Sequence, residues 1–167
     1  MILTDKQRAV IGRESAPRIA SMPPNMASAR QWCEMIEDAN PIYTDEAYAR
    51  TTWLQGLMAP PSMLMTWDMY QSWPEVERKG AVYELELEDC PSIIAVTAVQ
   101  EFLMPVRYGD TLSVTTQVSS VSEEKTTRLG TGHFVSILDI FRNQFQQVVG
   151  THRFDLFVYG PVKESAR

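Results

Sequence analysis

The chain has 167 residues, 44% of them apolar and 22% charged, the make-up of one ordinary soluble globule with room for a real core. A net charge of −6 argues against general nucleic-acid binding and against a polybasic membrane-surface site. Cys33 and Cys90 show neither metal-ligand spacing nor a disulfide framework, so each reads as a small buried residue and no metal site is expected.

The first residues are charged from Asp5 on and hold no signal-peptide apolar run, which predicts a cytoplasmic location. Residues 5–11 fit a short helix and residues 18–22 an extended piece, ended by Pro23-Pro24. A second helix is predicted from Asn25, with Met26, Ala29, Cys33 and Ile36 on one stripe and Trp32 beside it. Asn25 or Ser28 would cap it. It must end over residues 37–40, because Pro41 pushes Asn40 out of helical geometry. Thr44, followed by Asp45 and Glu46, marks the cap and first turn of a short helix to about Arg50.

Residues 59–73 then form the stretch around which the rest should be arranged. Pro60 and Pro61 suit a first helical turn, and Met63, Leu64, Met65, Trp67, Met69 and Tyr70 surround most of the circumference with apolar surface. Such a helix is expected to be buried, and it is too short and too broken to span a bilayer. Residues 74–91 are charged and read as an exposed excursion. The period changes after them. Residues 93–102 are β-branched and apolar, fit for a strand covered on both faces. Residues 105–110 make a turn around Gly109-Asp110, and residues 112–119 alternate as a half-buried strand. A turn at 123–125 leads to a long strand over 127–141, a polar turn over 143–146 and a last strand over 148–159. On that strand His152, Phe154, Leu156 and Val158 share one face; residues 161–167 are a tail.

Helices first, then four long strands in meander order, make an α+β fold: a curved antiparallel sheet wrapped around one buried helix. That is the hotdog architecture, expected here as a single domain over residues 1–167 with its core in about 12–159.

The chemistry would sit in Asp38-Ala39-Asn40-Pro41-Ile42-Tyr43. By spacing alone these residues equally describe a turn, since Asp and Asn bond nearby backbone and proline stops a helix. Further pieces follow in order: Asp45-Glu46-x-x-Ala49, Ala59-Pro60-Pro61, and Pro105-Val106-Arg107-x-Gly109-Asp110. Together they resemble the MaoC-like enoyl-CoA hydratase family, including its FAS-type dehydratase-like branch. The resemblance implies dimerisation and addition of water to a trans-2-enoyl-CoA, or the reverse, with the CoA thioester as substrate and no separate cofactor. In that family an aspartate takes a proton from the water, a histidine holds the water and handles the α-carbon proton, and N–H groups at the start of the central helix polarise the thioester carbonyl.

Asp38 matches the aspartate, Asn40-Pro41 the turn, and Tyr43 stands where the family carries histidine. A phenol titrates near ~10 and is a poor proton carrier at neutral pH. Pro60 and Pro61 lack N–H groups, which leaves Ser62 and Met63 as donors. Of the two histidines, His152 falls among apolar residues and reads as a core histidine with a satisfied ring nitrogen. His133 follows Gly132, where a missing side chain permits either close approach of CoA or of a neighbouring subunit, or a bulge. The Met-rich zone fits core packing and would also suit a tunnel for a bulky acyl group.

Three functions follow as expectations. The first is a catalytically incomplete hydratase subunit whose MaoC-like partner supplies an intact Asp/His pair. It resembles subunits of heteromeric hydratases in sterol side-chain (steroid) degradation, through Tyr43 and the strand holding Gly132-His133-Phe134-Val135. The others are a self-sufficient homodimer using Asp38 and Tyr43, and a non-catalytic acyl-CoA-binding module.

Overall fold

The computed structural model describes residues 3–69, 73, 81–87 and 89–161. The N-terminal helix α1 (Asp5–Val10) starts at a reciprocal cap: the Thr4 hydroxyl accepts from Gln7 N while the Gln7 side chain accepts from Thr4 N. After β1 (Arg18–Ile19) comes α2 (Met26–Ile36), capped by the Asn25 side chain, which accepts from Ser28 N. The short helix α3 (Glu46–Thr51) is capped by Asp45 rather than by Thr44, because the Asp45 carboxylate accepts from Tyr48 N. Within the predicted excursion only α4 (Ala81–Glu84) is helical among the described residues; residues 74–80 lie outside them, as do residues 70–72 of the predicted central helix and the predicted tail beyond residue 161.

One antiparallel sheet dominates. It contains β2 (Ser92–Phe102), β3 (Ser113–Val121), β5 (Thr131–Arg142) and β6 (Val148–Gly160), in the order β1-β3-β5-β6-β2, with the two-residue β4 (Lys125–Thr126) paired to β5. This is the expected hotdog arrangement, with one change. β3, β5 and β6 form a meander, but β2 crosses to the far edge and pairs with β6. A hairpin needs about two to five connecting residues. The connection from β2 to β3 is longer and is tied elsewhere, Gly109 N to Pro24 O and Ala59 N to Val106 O, so it carries the chain away from β2.

Two predicted features differ in the structure. β2 was expected to be covered on both faces; as the last strand of the sheet it leaves Ile93, Ile94, Val96, Val99 and Phe102 exposed. The opposite edge is sealed by the segment after α1: Gly12 N bonds Val118 O, Ser15 N bonds Thr116 O, and Arg18–Ile19 pair with β3. The second alteration is the central helix, which is a 3₁₀ helix over Pro61–Asp68 rather than an α-helix over 59–73. In 3₁₀ geometry residues three apart stack in one column. Here Leu64 and Trp67 share such a column and enter the core with Met63 beside them, while Met65 and Met69 face outward.

The sheet's inner face divides into two apolar clusters. Ala29, Met63, Leu64 and Trp67 pack on Val114, Phe141 and Val149; Val10, Val82 and Leu85 pack on Val118, Val135 and Leu156. Between them runs a polar row of register neighbours, Thr116, Asp139 and His152. The Thr116 hydroxyl donates to Asp139 Oδ1 (2.6 Å) and accepts from Arg18 Nη1 (2.9 Å), and the second Arg18 nitrogen pairs with Asp68 at the end of the 3₁₀ helix. His152 is only 1% exposed, as its strand pattern predicts, but neither ring nitrogen has a hydrogen-bond partner among the described residues; Asp139 Oδ2 stands 3.7 Å from Nδ1. The expected satisfied nitrogen is missing: Asp139, its cross-strand neighbour, bonds Thr116 through Oδ1 and holds Oδ2 beyond hydrogen-bond reach of the ring. No helix among the described residues is long and apolar enough to cross a membrane.

Candidate functional site

The site is built at the end of α2. Glu37 turns the chain with a left-handed φ of 58°, and Asp38 N closes the helix onto Cys33 O at 2.9 Å. Asp38 Oδ1 then accepts from Asn40 N (3.0 Å), and Asn40 Oδ1 accepts from Ile42 N (3.2 Å). Pro41 opens a 3₁₀ turn, Pro41–Tyr43, that needs no N–H from it. Asp38 and Asn40 therefore shape the turn with one oxygen each, and the same turn brings the Tyr43 ring into their company.

Electrostatics show which side chains stand together. Burial pushes the Tyr43 phenol above its ordinary pKa, and the Asp38 carboxylate and Cys33 add to the rise, against a hydrogen bond with the Asn40 side chain that lowers it. The Cys33 thiol is raised by burial and then by Asp38. Tyr108 is pushed up to about 12, first by burial and then by Cys33 and Tyr43, with Arg30 opposing. Its hydroxyl donates to the Tyr43 carbonyl at 2.8 Å. Asp38, Cys33, Tyr43 and Tyr108 thus form one cluster, in which both phenols stay protonated at neutral pH.

The start of the central helix is linked to this cluster through α2. Trp32, next in the chain to Cys33, donates its indole N–H to Ser62 Oγ at 3.1 Å. Met63 N is engaged by Pro60 O at 3.0 Å in the first 3₁₀ turn, whereas Ser62 is exposed. Beside this start lies an apolar cavity of about 10 Å³, walled by Pro60, Pro61 and Leu64 on one side and Phe102 and Met104 on the other. Gly132 stands apart. It pairs with Lys125 and Tyr159 inside the sheet, and a Cβ there would collide with Val158 O and the Tyr159 backbone, so the close approach at this glycine is made by β6 itself.

Neither histidine is hydrogen-bonded to Asp38. His133, 1% exposed on the inner face of β5, uses Nδ1 on Ser122 O (2.8 Å) and its Nε2 has no partner among the described residues; His152 has its place in the polar row. No group of three or more His, Cys, Asp or Glu residues among those described stands ready to hold a metal ion. Cys33, Tyr108 and Trp32 are the residues that sequence reasoning did not place in the site. The signal for Tyr108 was the unassigned position within Pro105-Val106-Arg107-x-Gly109-Asp110.

A single hotdog layer with an aspartate in an Asn-Pro turn at the end of α2 defines the class: a MaoC-like dehydratase fold. The family described as FAS1-like, dehydratase domain region, matches residues 9–152, and the chain belongs to it. It is 37% identical over 165 residues to a probable enoyl-CoA hydratase alpha subunit of Thermomonospora curvata, covering 93% of this chain and 51% of that protein. It is 32% identical over 147 residues to the 3-oxo-4,17-pregnadiene-20-carboxyl-CoA hydratase alpha subunit of Mycobacterium tuberculosis, covering 80% of this chain and 46% of that one. The chain thus spans about half the length of the curated relatives it matches. Among solved structures, a chain of the ChsH1-ChsH2 complex from Mycobacterium tuberculosis superposes with a TM-score of 0.83 at 23% identity, covering 94% of this chain and 95% of that one. The (R)-hydratase of A. caviae superposes with a TM-score of 0.59 at 17% identity, covering 90% and 96%. These likenesses speak for the fold.

Proposed function

We propose that the chain is a subunit of an enoyl-CoA hydratase that adds water to a trans-2-enoyl-CoA with a bulky, sterol-like acyl group, and that a MaoC-like partner supplies the intact Asp/His pair. The observation that carries the reading is Tyr43. By the family resemblance it stands at the histidine position; burial and the nearby Asp38 hold its phenol protonated, and neither histidine bonds to Asp38. Hydration needs one group to take a proton from water and another to deliver one to the α-carbon, and removal of a general acid/base group costs on the order of 10²–10⁴ in rate. In this chain Asp38, Asn40 and Tyr43 would hold water or the thioester, with the exposed Ser62 at the carbonyl; the Met63 N–H, already bonded to Pro60 O, is not free to join it.

The names of the two curated relatives, both alpha subunits, support a multisubunit hydratase, and one of them names a steroid acyl-CoA. The bare apolar edge of β2 supports a partner as well, since long exposed edges of this kind are normally covered. The test is turnover: the chain purified alone should hydrate trans-2-octenoyl-CoA slowly or not at all, and the co-purified complex rapidly. Robust turnover by the chain alone supports a self-sufficient hydratase instead; binding of the thioester with no effect on any partner's rate supports a non-catalytic module.

A further inference from the structure

The loop over residues 105–110 holds more distant segments together than any ordinary turn would. Its own closure is short: Arg107 N donates to Asp110 Oδ2 (2.7 Å) and Asp110 N to Arg107 O (3.1 Å). From this frame Val106 O accepts from Ala59 N (2.8 Å), Arg107 Nη2 donates to Leu54 O (2.6 Å), and Gly109 N donates to Pro24 O (2.8 Å). Each of those bonds uses the backbone or a side chain matched by the family-like motif. Tyr108 adds one that the motif does not specify, from its hydroxyl to the Tyr43 carbonyl (2.8 Å).

Val106 therefore grips the approach to the central helix, and Tyr108, two residues on, grips the turn after α2. We infer that Tyr108 is a positioning residue, whose hydroxyl sets the separation between the turn bearing Asp38, Asn40 and Tyr43 and the helix start bearing Ser62. The inference rests on the hydratase-subunit reading for its consequence, though not for its geometry. Substrate lying between the two halves would feel their spacing, and a displacement of about 1 Å at such a site can cost on the order of 10²-fold.

Tyr108→Phe removes only the hydroxyl and leaves the ring that packs on the core. Two readouts separate the possibilities. Cys33 is 7% exposed and stands within the cluster of Asp38, Tyr43 and Tyr108, so in a Cys90→Ser background its reaction with an aromatic disulfide reports release of the turn. The second readout is hydration of trans-2-octenoyl-CoA by the chain with its co-purified partner. Tyr108→Phe should raise the thiol rate by on the order of tenfold and raise KM by about tenfold while kcat stays within about twofold. Loss of folded protein would instead lower apparent kcat at constant KM, and that pattern overturns the inference. An unchanged thiol rate and unchanged KM in an active complex also overturn it, and leave the hydratase reading standing. A faster thiol reaction with unchanged KM means that the turn moves without touching substrate, which removes the turn from the site. If the parent complex hydrates neither trans-2-octenoyl-CoA nor a trans-2-enoyl-CoA with a bulky polycyclic acyl group, the hydratase reading falls, and with it the catalytic consequence assigned to Tyr108.

Discussion

At the residue scale, the proposed chemistry turns on Tyr43. A phenol that burial holds above ~10 does not exchange protons near neutral pH, whereas an imidazole titrates near ~6.5. Tyr43→His in the chain purified alone should therefore raise hydration of trans-2-octenoyl-CoA by about 10²-fold or more, with the rate climbing as pH passes ~6.5 and the neutral ring forms. A rate equal to the parent's means that the Asp38 carboxylate does not reach the reacting water. Tyr108 gives a second expectation, on stability. Its folded pKa of about 12 lies above the unfolded value of ~10, so folding favours the protonated phenol. That contribution is fully present below pH ~10 and is lost as pH rises through about 12. Alkaline unfolding followed by circular dichroism should accordingly be less steep in Tyr108→Phe over that window. Asp38, Asn40 and Tyr43 were legible beforehand because Pro41 fixes a local turn. Tyr108 was not, because its bond to the Tyr43 carbonyl crosses 65 residues of chain and no local pattern encodes it; Cys33 lies close in sequence to Asp38 but reads only as part of the buried stripe of α2.

At the scale of elements, apolarity was read correctly and its partner wrongly. The β-branched run over 93–102 promised two covered faces, yet β2 is an edge strand exposing Val96 and Phe102. A sequence reports that a strand is to be covered; it does not report whether the cover belongs to the same chain. The contrast with the other edge, sealed by residues 11–19, makes the same point. β2 also carries a register shift between Ala95 and Thr97, which leaves Val96 as an extra, 54% exposed residue. Val96→Lys adds a charge to this edge without opening the core, so folding stability should change by no more than about 0.5 kcal/mol in urea. Recovery of the co-purifying partner should drop sharply. Full recovery by the Val96→Lys chain would put the partner on another surface. The central helix was misjudged for a related reason: apolar residues all round do not distinguish 3.6 from 3.0 residues per turn. The backbone settles it, through three-residue bonds such as Met63 N to Pro60 O and Met69 N to Thr66 O.

At the scale of the molecule, the polar row between the two apolar clusters joins elements that are far apart in sequence. Arg18 comes from β1, Asp68 from the end of the central helix, and Thr116, Asp139 and His152 from three neighbouring strands. Strand alternation announced that His152 faces inward, but the row itself exists only once β3, β5 and β6 are in register. Thr116 is its hinge, accepting from Arg18 and donating to Asp139. Asp139 acts on the helix end as well, because burial raises the Asp68 carboxyl above its ordinary value and Asp139 adds to that rise, against Arg18. Asp139→Ala leaves the Thr116 hydroxyl without its acceptor and should cost about 1–3 kcal/mol in urea unfolding. Pairing it with Thr116→Val removes the stranded donor, and much of that loss should return, since deleting both partners of a buried bond is far milder than deleting one. Asp139→Ala should also lower the Asp68 pKa, read by carboxyl-carbon NMR, because one negative neighbour has gone while Arg18 remains. A raised Asp68 carboxyl adds stability below its unfolded pKa of ~3.9 and loses it as pH climbs through the folded value. The variant's stability should therefore fall less between acid and neutral pH than the parent's. An Asp68 titration that ignores the change at Asp139 would mean the row is two separate pairs rather than one unit tying sheet to helix.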